Sequence, residues 1–205
     1  MPRKKAAHQI NRIRKNNTDY PIALRKYLKN RDPAIITAIG NIDILKQKTL
    51  ALFCSVKCPG NLILKTYDLA RQLRDDGVTV ISGFHSPMEK ECLEILLRGK
   101  QPIIICPARS LEKMRIPKDW RKSLDEGRLL ILSPFGLKHR QMNSKLGDKR
   151  NEFVAALSDE VLVVYANSGG KLEHLCDKIT SWHKTLVTFN VKENNQLISI
   201  GAKII

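Results

Sequence analysis

Aromatic residues make up only 5% of this 205-residue chain. That scarcity argues against a protein that stacks sugars or wraps lipid tails. Cysteine is sparse and badly spaced for metal: Cys54, Cys58, Cys92, Cys106 and Cys176 contain no C-x-x-C pair, and no histidine stands at finger spacing. A zinc site is therefore not expected, and the apolar surroundings of Cys54, Cys92 and Cys106 suit reduced core thiols in a cytoplasmic protein. No 18-residue apolar run occurs, and no apolar stretch follows the basic amino terminus, so neither a membrane span nor a secretory signal is expected. The phosphate-binding runs G-x-G-x-x-G and G-x-x-x-x-G-K-[ST] are missing, which disfavours a dinucleotide held in the usual Rossmann manner and disfavours ATP hydrolysis. No G-x-S-x-G elbow surrounds Ser82, Ser133 or Ser168, and His85, His139, His174 and His183 have no acid partner at a fixed spacing. No catalytic residue, cofactor or metal is assigned on this reading.

What the chain has in excess is positive charge. Lys and Arg number 36 against 20 Asp and Glu, a formal charge of +16. Such a field concentrates polyanions, nucleic acid above all, although a merely solvated basic surface would give the same count. The first 31 residues hold Asp19 as their one acid. Residues 1–19 are expected to be a basic arm, and residues 20–205 one domain, since this length supports a single main core.

From Ala34 onward apolar runs alternate with helix-period segments. Ala34–Ile39, Leu50–Cys54, Val78–Ile81, Ile103–Cys106, Leu129–Leu132, Val161–Tyr165 and Leu186–Phe189 are expected strands, with a β-like tail around Leu197–Ile200. Helices are expected at Pro21–Leu28, Asn61–Asp76, from Ser86 to Gly99, at Pro117–Asp125, from about Asp148 and at Lys171–Trp182. The helix after Ser86 carries a capping box, with Ser86 as cap, Pro87 in the first turn and Glu89 at the third position. Apolar strands without polar alternation are covered on both faces. The pattern implies an α/β fold: a Rossmann-like, open and mostly parallel sheet with helices on both faces.

In a parallel sheet the loops that follow strands meet along one edge. Four such loops, Ser55–Gly60, Ser82–His85, Ser133–Arg150 and Asn167–Lys171, carry the chemistry. They offer Ser55, Lys57, Ser82, Gly83, Lys138, Arg140, Lys149, Arg150, Asn151, Ser168, Gly169, Gly170 and Lys171 as phosphate contacts. Phe84 and Phe135 are candidates to stack on a base. Ser168-Gly169-Gly170 at a helix start is a candidate anion nest, an ordinary capping turn being the alternative. Arg150, placed on a first helical turn, opposes the helix dipole and so points to a bound phosphate, or to an ion pair with Asp148 or Glu152.

Several pieces then fall in a familiar order. They are Tyr20-Pro21-Ile22-Ala23-Leu24-Arg25, Gly40-Asn41, Cys54-Ser55-Val56-Lys57, Asp76-Gly77-Val78-Thr79-Val80-Ile81-Ser82-Gly83, Leu132-Ser133-Pro134, the run from Lys149-Arg150-Asn151 to Leu157-Ser158-Asp159, and Asn167-Ser168-Gly169-Gly170. From about Tyr20 to Phe189 the chain resembles the DprA (Smf) family of DNA-processing proteins. The resemblance implies an extended Rossmann fold that binds single-stranded DNA along its basic sheet edge, often as a dimer, and that helps load a RecA-type recombinase in natural transformation. By position, Ser55 and Lys57 match the family's Gly-Ser-Arg loop, Ser82-Gly83 its second glycine turn, Arg150-Asn151 its Arg-Asn pair and Ser168-Gly169 its final Ser-Gly. The chain departs at Cys54 and Lys57, where the family has Gly and Arg, and after Gly83, where Phe84-His85-Ser86-Pro87-Met88-Glu89 replaces the family's elements. A divergent member without a winged-helix segment is expected. The alternative is a nucleotide-binding or phosphoribohydrolase-like Rossmann protein, for which Gly169-Gly170-Lys171-Leu172-Glu173 is the only motif.

Overall fold

The computed structural model describes residues 9–205. Strands β1 (Asn11–Arg14), β2 (Ile35–Gly40), β3 (Thr49–Cys54), β4 (Thr79–Ser82), β5 (Ile103–Ile105), β6 (Leu129–Ser133), β7 (Glu160–Tyr165), β8 (Thr185–Thr188) and β9 (Lys203–Ile204) form one sheet in the order β1-β2-β6-β5-β4-β3-β7-β8-β9. Pairing is parallel from β6 through β9 and antiparallel at β1-β2 and β2-β6. The α/β, mostly parallel, Rossmann-like architecture is thus as the periodicity implied. β3 pairs with β4 on one side and β7 on the other. Strand order reverses there, and the crevice outside the carboxyl ends of β3 and β7 is where open α/β sheets accept ligands.

Helices α1 (Ile22–Leu28), α2 (Gly60–Asp75), α3 (Pro87–Leu97), α4 (Lys118–Asp125), α5 (Ser144–Leu157), α6 (Lys171–Ser181) and α7 (Asn195–Ser199) cover the sheet. Successive strand residues point to opposite faces, so β3 sends Phe53 into one apolar layer and Leu52 into the other. The layer with Phe53 includes Leu24, Phe153 and Ile179 from α1, α5 and α6; the other includes Leu62, Leu96 and Leu124 from α2, α3 and α4. Both faces are buried, which is why β3 to β7 show continuous apolar runs.

Three expectations are corrected here. Residues 1–8 of the expected arm lie outside the described residues, but Asn11–Arg14 form edge strand β1, whose only buried side chain is Ile13. The tail at Leu197–Ile200 is not β-like: Asn195–Ser199 form α7, with Leu197 filling the core. Finally, α5 begins at Ser144, capped by the Asn143 side chain, which accepts from the Leu146 N–H at 2.9 Å. Arg150 therefore sits beyond the first turn, where the helix dipole no longer constrains its charge.

The carboxyl end of α5 is held by Lys184. Its Nζ donates to the carbonyls of Ala155 at 2.6 Å, Ala156 at 2.8 Å and Ser158, and lies 4.3 Å from the centre of the Tyr27 ring. These are the carbonyls a helix end leaves without partners. Replacing Lys184 with Met keeps the stem but removes the donors, and should lower the unfolding free energy by about 2 kcal/mol in urea titrations. Burial also pulls the amine down to about 8 from its ordinary 10.5. Between those values the unfolded chain holds the extra proton, so the contribution of Lys184 to stability rises with pH across that window. Lys184→Met should lack this rise.

Candidate functional site

The loops after β3, β4, β6 and β7 do meet at one edge. Together with Ala108, from the loop after β5, they enclose a cleft of about 800 Å³ that Ser55, Lys57, His85, Asn143, Arg150 and Lys171 help to line. That volume lies within the range of small-ligand and nucleotide sites.

The cleft is built on Glu89. The capping box at Ser86 is formed in full: the Ser86 hydroxyl accepts from the Glu89 N–H, and the Glu89 carboxylate accepts from the Ser86 N–H at 3.3 Å. The same carboxylate reaches further than a capping box requires. It accepts from the His85 N–H at 2.7 Å and, through Oε1, from the Cys54 N–H at 3.1 Å. A buried acid thus ties the end of β3, the loop after β4 and the start of α3 into one unit. Cys54 Sγ is buried below, and its thiol is pushed far above its ordinary pKa by burial, so it stays protonated.

Arg150 is the second buried charge, 4% exposed. Its guanidinium donates to the Cys106 carbonyl at 3.1 Å and to Asn151 Oδ1 at 2.7 Å. Burial lowers its pKa, with Glu89 acting in the opposite direction. Gly83 admits it: a Cβ at that position would lie 1.3 Å from a terminal guanidinium nitrogen. Glycine at 83 is therefore required by close approach of a side chain, not by a special φ. Among the described residues Arg150 makes no ion pair with Asp148 or Glu152, which instead bind Lys171 and, for Glu152, Arg31 and Lys178. Arg150 thus shapes the cleft wall from below.

The other expected contacts divide into two groups. Lys57, Lys138, Arg140 and Lys149 are exposed, and with Lys145 they make no ion pair among the described residues. Lys171 is exposed too, but Asp148 holds it at 2.6 Å. Ser55 is half-buried, and its hydroxyl accepts from the Asn167 N–H at 3.0 Å, joining the loops after β3 and β7. Asn151 is half-buried at the cleft.

The remaining residues are turned inward. Ser82 is fully buried, its hydroxyl accepting from the Phe84 N–H at 3.1 Å. Phe84, 5% exposed, and Phe135, 6% exposed, face apolar clusters and offer no open ring face, which corrects the expectation of base stacking. In the Ser168-Gly169-Gly170 turn, Gly169 has φ of 67°, its N–H donates to Glu173 Oε2 at 2.6 Å, and the Gly170 N–H donates to the Asn167 carbonyl at 2.9 Å. The turn is real, but its amides serve its own chain, so it is a closed capping turn. Glu89, Asn143, Asp148 and Ala108 were not anticipated at the site; only the capping box at Ser86 hinted at Glu89. Among the described residues no group of three or more His, Cys, Asp or Glu side chains could hold a metal ion, and no helix is long and apolar enough to cross a membrane.

An open Rossmann-like sheet with a cation-rimmed cleft at its reversal point defines the class of this protein. Residues 11–205 match the family profile of DNA recombination-mediator protein A, and the chain belongs to that DNA-processing family. Its fold is similar to that of DNA processing protein A from Streptococcus pneumoniae, with a TM-score of 0.79 at 18% identity over 96% of this chain and 71% of that one. It is also similar to DNA processing protein A from Helicobacter pylori, whose structure was described for its single-stranded-DNA binding mode: TM-score 0.77, 20% identity, 97% of this chain and 91% of that one. A molybdenum cofactor carrier protein from Chlamydomonas reinhardtii shares the fold more distantly, with a TM-score of 0.54 at 12% identity over 78% of this chain and 90% of that one. No curated protein sequence matches it.

Proposed function

We propose that this protein binds single-stranded DNA through its backbone phosphates across the carboxyl edge of the sheet, and that it carries out no covalent chemistry there. The observation that carries this reading is a row of exposed cations without ion-pair partners among the described residues along this edge of the sheet: Lys57 at the cleft, Lys138 and Arg140 at a neighbouring trough, and Lys145 and Lys149 on α5. Family membership and the single-stranded-DNA binding described for the Helicobacter pylori relative support it. The reading sets the protein in the reducing cytoplasm, in keeping with its five free thiols. It extends to homodimer formation and to hand-over of the strand to a RecA-type recombinase, to be checked by sedimentation and by recombinase assembly on coated DNA.

Fluorescence anisotropy with matched single- and double-stranded oligonucleotides over a salt series tests the core of it. If four phosphates are neutralised, log affinity for the single strand should fall against log salt with a slope of about −3. Lys57→Ala should flatten that slope by about 0.7. A salt-independent affinity, or tighter binding of the duplex, would overturn the reading.

A further inference from the structure

The cleft lies against one flank of α5, lined by Gly147, Asp148, Arg150 and Asn151. The opposite flank of the same helix borders a second cavity, of about 770 Å³. Its wall is apolar: Ile35, 40% exposed, and Pro134 stand over the buried side chains of Leu28 and Phe153. Its rim is cationic, with Lys138 and Lys149 exposed and unpaired among the described residues, while Arg31 is held by Glu152 at 2.8 Å. His139 lies at the same cavity, its ring edge-on to Phe135 at 5.9 Å between centres.

A third, shallow depression at the amino end of α5 shares lining residues with each of the two cavities. Asn143, the cap of that helix, lines both the cleft and a shallow trough formed by the loop Leu137–Gln141. The trough shares Lys138, His139 and Leu146 with the second cavity. Cations mark the whole route: Lys57 at the cleft, Lys138 and Arg140 at the trough, and Lys149 beyond it.

Resting on the single-strand reading, we propose that the DNA strand leaves the cleft around the amino end of α5 and lodges one unstacked base in the second cavity. The chemistry selects this occupant. A free phosphate would use the cationic rim but leave the apolar wall empty. A hydrocarbon chain would use the wall but gain nothing from Lys138 and Lys149. A nucleobase places an apolar face against Ile35 and Pro134, presents a flat partner to the His139 imidazole, and keeps its phosphates within reach of both lysines. The single strand can supply such a base because its bases are not held in a duplex.

The test uses thymidine oligonucleotides of about 4 and about 12 nucleotides, the shorter to span the cleft only. It also uses a longer oligonucleotide carrying 2-aminopurine at each position in turn. Ile35→Trp fills the cavity from an exposed strand position, and Lys149→Glu reverses its rim; unchanged thermal unfolding confirms that each variant is folded. The wild type is expected to bind the longer oligonucleotide more tightly, with one 2-aminopurine position changing in fluorescence. Ile35→Trp should lose about 10-fold in affinity for the longer oligonucleotide, keep its affinity for the shorter one and abolish the fluorescence change, and Lys149→Glu should weaken the longer oligonucleotide by more than the shorter one and abolish the fluorescence change. If the variants bind both lengths as the wild type does, or the 2-aminopurine change persists in Ile35→Trp, the second cavity is overturned while binding at the cleft stands. If the wild type binds neither length, the single-strand reading falls and the second cavity falls with it.

Discussion

Glu89→Ala is expected to lower the unfolding free energy by about 4 kcal/mol, the largest effect of any single substitution considered for this chain. The carboxylate is the acceptor for three backbone N–H groups, those of Cys54, His85 and Ser86; Glu89, Cys54 and Ser86 are buried, while His85 is exposed at the cleft. Removing it leaves the buried Cys54 and Ser86 donors without acceptors, at about 1–3 kcal/mol for each group that finds no substitute. The loss is a large fraction of the 5–15 kcal/mol that holds a domain of this size together. Glu89→Gln keeps the shape but turns an NH₂ group towards one or more of these N–H groups, so about half the loss is expected. Urea titrations of the two variants beside the wild type decide the matter. A Glu89→Ala protein within about 1 kcal/mol of the wild type would mean that the loop amides pair elsewhere.

The second large effect joins Gly83 and Arg150. Gly83→Ala puts a methyl group where the guanidinium lies, so Arg150 must leave its buried seat and give up the Cys106 carbonyl and Asn151. A loss of about 2–3 kcal/mol is expected. Arg150→Ala removes the same contacts and opens a cavity, at about 3 kcal/mol. Because one arrangement is destroyed by either change, the double variant should cost little more than Arg150→Ala alone, and the coupling between the two sites should exceed about 1.5 kcal/mol. Additive costs would separate the two residues. Binding distinguishes the role further: Arg150→Ala should weaken single-strand affinity while leaving the salt slope as it is, since the buried guanidinium shapes the wall and does not itself neutralise a phosphate. Lys57→Ala should change the slope.

The sheet was legible because its strands are buried on both faces, and a run such as Leu50-Ala51-Leu52-Phe53-Cys54 has few other structural readings. The convergence of loops followed from parallel pairing alone. β1 was hidden because an edge strand with one buried residue, Ile13 between Arg12 and Arg14, has the composition of a solvated basic segment. α7 was hidden by its shortness: five residues hold too little periodicity to separate helix from strand. Arg150 misled for a different reason. Charge marks a residue for the surface, and only the absence of a Cβ at Gly83, far away in sequence, makes room for that charge inside. Phe84 and Phe135 sat in the expected loops, but each follows a buried Ser whose hydroxyl accepts the Phe N–H, Ser82 for one and Ser133 for the other, and the turn points the ring into the core. Nothing in the local sequence distinguishes that turn from one that presents the ring outward.

The Glu89 carboxylate divides the cleft into two halves with different freedom to change. The ends of β3 and β4 share one internal acid, so an exchange in either is felt by the other and by the start of α3. The loops after β6 and β7 make no use of Glu89, and the exposed side chains between β6 and α5 can be exchanged without disturbing the core. A designer who wished to alter what this edge holds would therefore work at the exposed positions of 137–142 and at Lys145, and would leave 54, 83–89, the helix cap Asn143 and the turn 167–170 alone. One half of the cleft is fixed tooling, and the other is an exchangeable jaw.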